Sequence, residues 1–251
     1  MSLKNELRGT ATVILHTNFA NRALRGRMPK PDKPPIPSLY QFNTLARTIF
    51  KSCQLDDPFA WFALGQIEDK LEEVEQQLKK ISMELEQVLR INDDRIQIEN
   101  AVSLKPTEHT VNVSHYGFRL LDMIVLYDRV CCDGFNAIHR GRIPTKRGYD
   151  LMDLGANVLR SAASVGDGYV FTGSTRKDLE QGNQKARRAI KRLVASQFID
   201  QTKFNGFEDM CRFFAAYQPK TTYGPPAGPF QDSEMDAPEG KPMDLGGQQN
   251  D

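Results

Sequence analysis

The sequence of 251 residues predicts an α+β protein that is mostly helical. A heptad pattern of apolar residues runs through 58–91 and indicates one long helix. A short alternating run at 109–115 indicates a strand, and two segments with helical periodicity follow it. We therefore expect a single elaborated domain over residues 1–218. The remainder, 219–251, is acidic and rich in proline and glycine, and we expect it to be disordered.

The first part of the chain predicts a strand and then a helical pair. Residues 10–16 are rich in β-branched side chains, which favour a strand. Five prolines in residues 28–37 exclude regular structure there. Ser38 is a good N-cap for the next helix, and Pro58 stands in the first turn of the long helix. We expect residues 37–92 to form a helical hairpin or a coiled-coil element.

The long helix carries a continuous apolar seam. Its apolar residues recur at alternating spacings of three and four, while Glu and Lys occupy the other faces. Such a seam must be covered, either by another helix of the same chain or by a second copy of the chain in a dimer. The sequence leaves both arrangements open. The seam residues are Leu64, Ile67, Leu71, Val74, Leu78, Ile81, Leu85 and Val88.

A strand, a helix, a turn and a second helix follow one another in residues 109–164. This order is the plan of a ribbon-helix-helix core, in which two chains each supply one strand and the ribbon enters the major groove of DNA. Alternation directs Val111 and Val113 inward and the polar residues outward. Asparagine pairs bidentately with adenine, and Thr or Ser bonds several bases. The predicted base contacts are Thr110, Asn112 and Ser114.

A second candidate for the ribbon strand lies at residues 8–16. Its outward residues are Arg8, Thr10 and Thr12, and a basic stretch follows it directly. We rank the strand at 109–115 first. An internal strand of an ordinary α+β core is the alternative interpretation, because a run of seven alternating residues is common.

Basic residues are unevenly distributed although the net charge is only +1. They are concentrated in 20–33, at the start of the helix near Thr145, and in the basic helix 176–192, which belongs to a region of basic and apolar helices at 174–217. A solvated helix face is the usual explanation of such a stripe, and phosphate binding is the alternative. Helix N-termini also bind phosphate. The predicted phosphate contacts are Arg22, Arg25, Arg27, Thr145, Lys146, Arg147, Lys185, Arg188 and Arg192.

The sequence contains no pattern that indicates catalysis, a cofactor or a metal. Its four histidines do not stand at metal-ligand spacing, and glycine-rich phosphate loops and nucleophile motifs are lacking. We therefore expect a protein that is not an enzyme. Four cysteines without a C-x-x-C motif indicate reduced thiols and a cytoplasmic location. No apolar run is long enough to span a bilayer, so we expect no membrane role.

Several short motifs resemble those of the AcaB-like transcriptional regulators of conjugative plasmids and integrating conjugative elements. The carrying segments are TVILHT at 12–17, DDPFA at 56–60, Tyr116-Gly117, and YVFTGSTR at 169–176 followed by Gly182. Together they cover about residues 8–195. The resemblance implies a ribbon-helix-helix DNA-binding activator that controls transfer genes. It assigns no DNA contact to a particular residue.

Two functional hypotheses follow from the sequence. The first is a cytoplasmic, homodimeric transcription regulator that binds double-stranded promoter DNA, with RNA polymerase as a further candidate partner. The second is a coiled-coil interaction or scaffold protein of a conjugation system, which the heptad seam motivates. Specific binding survives competitor DNA, whereas association through charge alone does not, and this difference separates the two hypotheses.

Overall fold

The computed structural model describes residues 9–29, 31–32, 35–90, 105–218, 221–222 and 224–225. Arg8 and most of the predicted tail at 219–251 lie outside these ranges. The elements, in chain order, are β1 (Gly9–Leu15), α1 (Asn18–Arg25), α2 (Leu39–Gln54), α3 (Pro58–Leu89), β2 (Thr107–Val113), α4 (His115–His139), α5 (Thr145–Ala163), α6 (Arg176–Glu180), α7 (Gln184–Ala195), a 3-10 turn (Gln201–Lys203) and α8 (Phe207–Ala216).

The two strands pair with each other inside one chain. They form a two-stranded antiparallel sheet in which Thr12 faces Thr110 at the centre and Gly9 faces Val113 at one end. The two segments that the sequence presented as rival ribbon strands are therefore partners. The prediction that two chains each supply one strand is corrected, because β1 of the same chain occupies one edge of β2.

The order strand, helix, helix occurs twice in the chain, as β1–α1–α2 and as β2–α4–α5. Each strand runs almost directly into its first helix. The hydroxyl of Thr17 accepts from the N–H of Ala20 and caps α1. Ser38 and Gln41 form a reciprocal capping box at the start of α2, as the sequence indicated for Ser38. The antiparallel sheet thus joins two units of the same order.

Helix α3 is the central element of the core. It packs against α2, α4, α5 and α8 of the same chain. The first seven seam residues are buried, and Leu71 and Leu78 are completely inaccessible. Ion pairs such as Lys70–Glu73 and Lys79–Glu75 lie on the solvent side. The seam is therefore covered by helices of the same chain in this structure.

Asp57 ties the start of α3 to the loop that precedes α6. Its buried carboxylate accepts from the N–H of Phe59 at 2.9 Å and caps α3. It also accepts from the hydroxyls of Tyr169 at 3.1 Å and Thr172 at 3.2 Å. Burial raises the pKa of Asp57, and N–H donors, foremost that of Thr172, oppose this shift. Two of the motifs picked out in the sequence therefore meet at one carboxylate.

The basic segment predicted as one helix over 176–192 is two helices. Gly182 adopts a left-handed φ of +56° after α6, a conformation that suits glycine. The side chain of Asn183 then caps α7 by accepting from the N–H groups of Lys185 and Ala186. The break separates the charges of 176–177 from those of α7.

Burial of the seam predicts how substitutions on α3 change the free energy of unfolding. Leu71→Ala should destabilise the fold by about 2–5 kcal/mol, because it removes a fully buried side chain and leaves a cavity. Met83→Ala is the matched control on the same helix, since Met83 is 59% exposed, and it should change the free energy of unfolding by less than about 0.5 kcal/mol. Urea denaturation monitored by circular dichroism measures both. A denaturation midpoint that rose with protein concentration would instead place the seam between two chains.

Candidate nucleic-acid interface

The β1–β2 sheet has an apolar inner face and a largely polar outer face. Val13, Leu15, Val111 and Val113 lie inward and are at most 8% exposed. The alternate residues are exposed, and we call them the ribbon face. The register places them in the cross-strand pairs Thr10–Asn112, Thr12–Thr110 and Ile14–Glu108.

The structure brings predicted base-contacting residues of both candidate strands onto this one face. Thr110 and Asn112 lie beside Thr12 and Thr10. Ser114 is not part of the face, because β2 ends at Val113. The N–H and the hydroxyl of Ser114 both donate to Oδ1 of Asn43, each at 2.8 Å.

Ile14 and Glu108 are members of the ribbon face that the sequence analysis missed. The alternation that selects Thr10 and Thr12 continues to Ile14, so the signal was present in the sequence. An isoleucine in a strand is normally assigned to the core, yet Ile14 is 51% exposed. Glu108 stands opposite it across the strands.

Asp128 on α4 fixes the end of β1. Its carboxylate is only 4% exposed and accepts from the N–H of His16 at 2.8 Å. It also accepts from the N–H and the hydroxyl of Thr17 at 2.9 and 2.7 Å. Because these donors lie at the junction of β1 and α1, Asp128 holds that junction against α4.

Asn21 on α1 makes an equivalent link to the start of β2. Its Oδ1 accepts from Nε2 of His109 at 2.6 Å, and its amide lies 3.4 Å from Oγ1 of Thr107. Burial and the nearby Arg25 guanidinium lower the pKa of His109. Both effects favour the neutral form of the ring.

Helix α2 contacts β2 through Tyr40 and the residue after β2 through Asn43. The hydroxyl of Tyr40 donates to the carbonyl of Thr110 at 3.3 Å, and Asn43 holds Ser114 as described above. The outer edge of β1 makes no backbone hydrogen bond to any residue in the described ranges. The two edges of the ribbon therefore differ in their surroundings.

The predicted phosphate contacts in residues 22–27 differ in their exposure to solvent. Arg22 and Arg25 are exposed on α1, which also contacts the start of β2. Arg27 is half-buried, and its backbone forms an antiparallel bridge with Ile36. Arg27 also takes part in a further interaction. The first two arginines thus remain the better candidates in this segment.

The start of α5 is the second predicted phosphate-binding position. Its N-cap is Pro144, which makes no side-chain capping hydrogen bond. Thr145 and Lys146 are exposed there. Arg147 instead donates to Glu84 of α3 at 2.6 Å, so its charge is already paired.

The basic residues of α7 belong to another part of the fold. Helix α7 packs against α6 and α8, whereas the sheet packs against α1 and α4. Lys185 pairs with Asp178 at 3.2 Å, and Arg192 donates to the carbonyl of Phe171. Arg188 is exposed. The structure therefore does not bring these three predicted phosphate contacts to the ribbon face.

The described part of the chain lacks a metal-binding cluster and a membrane-spanning helix. Among the described residues, no group of three His, Cys, Asp or Glu side chains is arranged to hold a metal ion. No helix in these ranges is both long enough and apolar enough to cross a lipid bilayer.

The chain is thus an α+β protein in which a two-stranded antiparallel sheet with a largely polar, exposed outer face lies on a helical body. The family model described as transcriptional regulator AcaB matches residues 4–201, and the chain belongs to this family. The chain is accordingly a transcriptional regulator of a DNA-binding family. The fold is similar to the crystal structure of selenomethionine-containing AcaB from uropathogenic E. coli, with a TM-score of 0.54 at 12% identity, covering 84% of this chain and 98% of that one. No curated protein matches the sequence.

Asp128 provides a test of how the ribbon is supported. Asp128→Ala leaves the half-buried N–H of His16 and the buried N–H and hydroxyl of Thr17 without an acceptor. It should destabilise the protein by about 1–3 kcal/mol for each buried group left unsatisfied. Asp122→Ala, on an exposed position of the same helix, is the control and should cost less than about 0.5 kcal/mol. Hydrogen exchange should also show faster exchange of the β1 amides in Asp128→Ala alone. Equal behaviour of both variants would contradict the anchoring role.

Proposed function

We propose that this chain is a sequence-specific regulator that binds double-stranded DNA by placing the ribbon face in the major groove. The observation that carries the proposal is the exposed face itself, with its Thr and Asn side chains on both strands. The major groove of B-DNA admits a two-stranded ribbon and presents a distinct hydrogen-bonding pattern for each base pair. Membership of a transcriptional regulator family supports the same conclusion.

The uncharged polar residues of the ribbon face are the proposed base contacts. Asn112 is positioned to bond N6 and N7 of adenine, which asparagine recognises bidentately. The hydroxyls of Thr10, Thr12 and Thr110 can donate or accept, so they suit several base edges. Arg22 and Arg25 on α1 and Lys146 at the start of α5 are the proposed phosphate contacts, which position the ribbon without reading sequence.

One copy of the chain is sufficient to form the ribbon, because both strands come from the same chain. The proposed DNA-binding unit is therefore a single chain with two strand-helix-helix units, in place of the homodimer expected from the sequence. For the outcome of binding we propose activation of conjugative transfer genes, which rests on the family resemblance. A reporter fused to a transfer-gene promoter would show increased expression with this chain, and a decrease would identify a repressor.

The apolar seam that motivated the scaffold hypothesis packs against helices of the same chain. That hypothesis rested on an apolar seam open to a partner, and the first seven of the eight seam residues are buried within the chain. No other feature of the described residues favours the scaffold hypothesis over DNA binding.

A gel-shift experiment with excess competitor DNA tests the proposal directly. The probe is DNA upstream of the chain's own operon and of neighbouring transfer genes. A discrete band that resists competitor is the expected result. Smearing that disappears with competitor or at moderate salt would refute sequence-specific regulation and leave only charge-driven association.

Asn112→Ala should weaken specific binding by about 1–3 kcal/mol while non-specific binding changes little, because only contacts to base edges are lost. Asn205→Ala is the matched control, since Asn205 is an exposed asparagine in the loop before α8. Fluorescence anisotropy on specific and scrambled duplexes measures both affinities. Wild-type specificity in folded Asn112→Ala would exclude β2 from base readout.

Phosphate contacts are separable from base contacts by their salt dependence. Arg25→Ala should reduce the slope of log K against log salt by about 0.9, the value for one phosphate contact, and weaken specific and non-specific binding alike. Arg188→Ala on α7 should leave the slope unchanged, because α7 packs away from the sheet. The reverse pattern would move the phosphate-binding surface from α1 to α7.

A further inference from the structure

We infer that one copy of this chain recognises a DNA core without two-fold symmetry, and that Ile14 contacts a thymine methyl group at one end of that core. The inference rests on the proposed function and specifies the DNA that the ribbon face selects. It follows from the register and exposure of six side chains on the outer face of β1 and β2.

Symmetry of the ribbon determines symmetry of its site. When two identical strands form a ribbon, a two-fold axis relates them and the preferred operator is palindromic. In this chain the pair Thr12–Thr110 stands at the centre. Rotation about that centre would superpose Ile14 on Asn112 and Thr10 on Glu108. Isoleucine and asparagine share no recognition chemistry, and a carboxylate only accepts hydrogen bonds whereas a hydroxyl can also donate them. The two halves of the ribbon face therefore select different bases.

The two ends of the ribbon face therefore offer different groups to DNA. One end carries the pair Thr10–Asn112, a hydroxyl and an amide that suit adenine. The other end carries Ile14–Glu108, an apolar side chain beside a carboxylate. A carboxylate accepts from N4 of cytosine, and it disfavours close approach of phosphate. The core should consequently combine adenine at the first end with thymine and cytosine at the second.

Ile14 has a specific complement in the major groove. It is 51% exposed, although its neighbours Val13 and Leu15 in the same strand are buried. The C5-methyl group of thymine is the apolar group that base pairs present on the major-groove edge. An isoleucine on an otherwise polar, DNA-facing surface matches that group, and the contact removes both from water.

The surroundings of the ribbon are asymmetric in the same sense. Tyr40 of α2 lies along the edge of β2, with its hydroxyl on the carbonyl of Thr110 and its side chain 45% exposed. The edge of β1 has no such partner among the described residues. A tyrosine hydroxyl is a common phosphate ligand, so backbone contacts at the two edges also differ.

Selection from a pool of randomised duplex DNA, using the full chain, tests the symmetry. Sequencing of the bound fraction should give a non-palindromic core, and native mass spectrometry on a duplex with one core should show one bound copy. A palindromic core that requires two copies would overturn this inference, together with the single-chain binding unit, and would leave sequence-specific binding of double-stranded DNA standing. Failure to enrich any sequence would instead overturn the proposed function, and with it this inference.

Replacement of thymine by deoxyuridine in the selected core tests Ile14. Loss of the contacted methyl group should weaken wild-type binding roughly fourfold, the equivalent of one buried methylene group. The same replacement should have no effect on Ile14→Ala, whereas Val125→Ala, at an exposed apolar position on α4, should retain the wild-type response. Wild-type affinity at every deoxyuridine position would exclude the methyl contact.

Discussion

The antiparallel pairing of β1 with β2 is the constraint on which the rest of the structure depends. It brings together segments that α1, α2 and α3 separate along the chain. Val13 and Leu15 join Val111 and Val113 beneath the sheet, and the polar residues face outward on both strands at once. A slip of one residue would expose the valines and bury the threonines, so the apolar core fixes the register of the outer face. Asp128 and Asn21 then hold the strand ends against helices of the other unit.

Much of this fold was predictable from local sequence patterns. The three-four spacing of apolar residues identified α3, and Ser38 and Pro58 marked the helix starts where the structure has them. The strand segments were identified to within about two residues, the first by its β-branched side chains and the second by alternation. The partner of each strand was not predictable, because alternation defines an inward and an outward face but not which other strand shares the sheet. The element that covers the seam was not predictable for the same reason, because an apolar stripe must be buried but does not show which helix or chain buries it.

For the candidate site too, local sequence patterns predicted some features, and tertiary packing determined others. Thr10, Thr12, Thr110 and Asn112 were all identified as outward residues, although on strands treated as alternatives. Ser114 was misplaced because the strand ends one residue earlier, and the N–H of Ser114 donates to Oδ1 of Asn43. The long-range pairing of Arg147 with Glu84 and the remote position of α7 depend on tertiary packing, so no local charge pattern could reveal them.

Intrachain pairing also has a consequence for biosynthesis. β1 leaves the ribosome well before β2, and translation at about 5–20 residues per second leaves the first strand without its partner for on the order of ten seconds. An unpaired strand is a template for aggregation, and short length with polar side chains lowers that risk. β1 has only seven residues and two outward threonines, which fits this period of exposure. Completion of β2 therefore sets the earliest moment at which a nascent chain can acquire its ribbon.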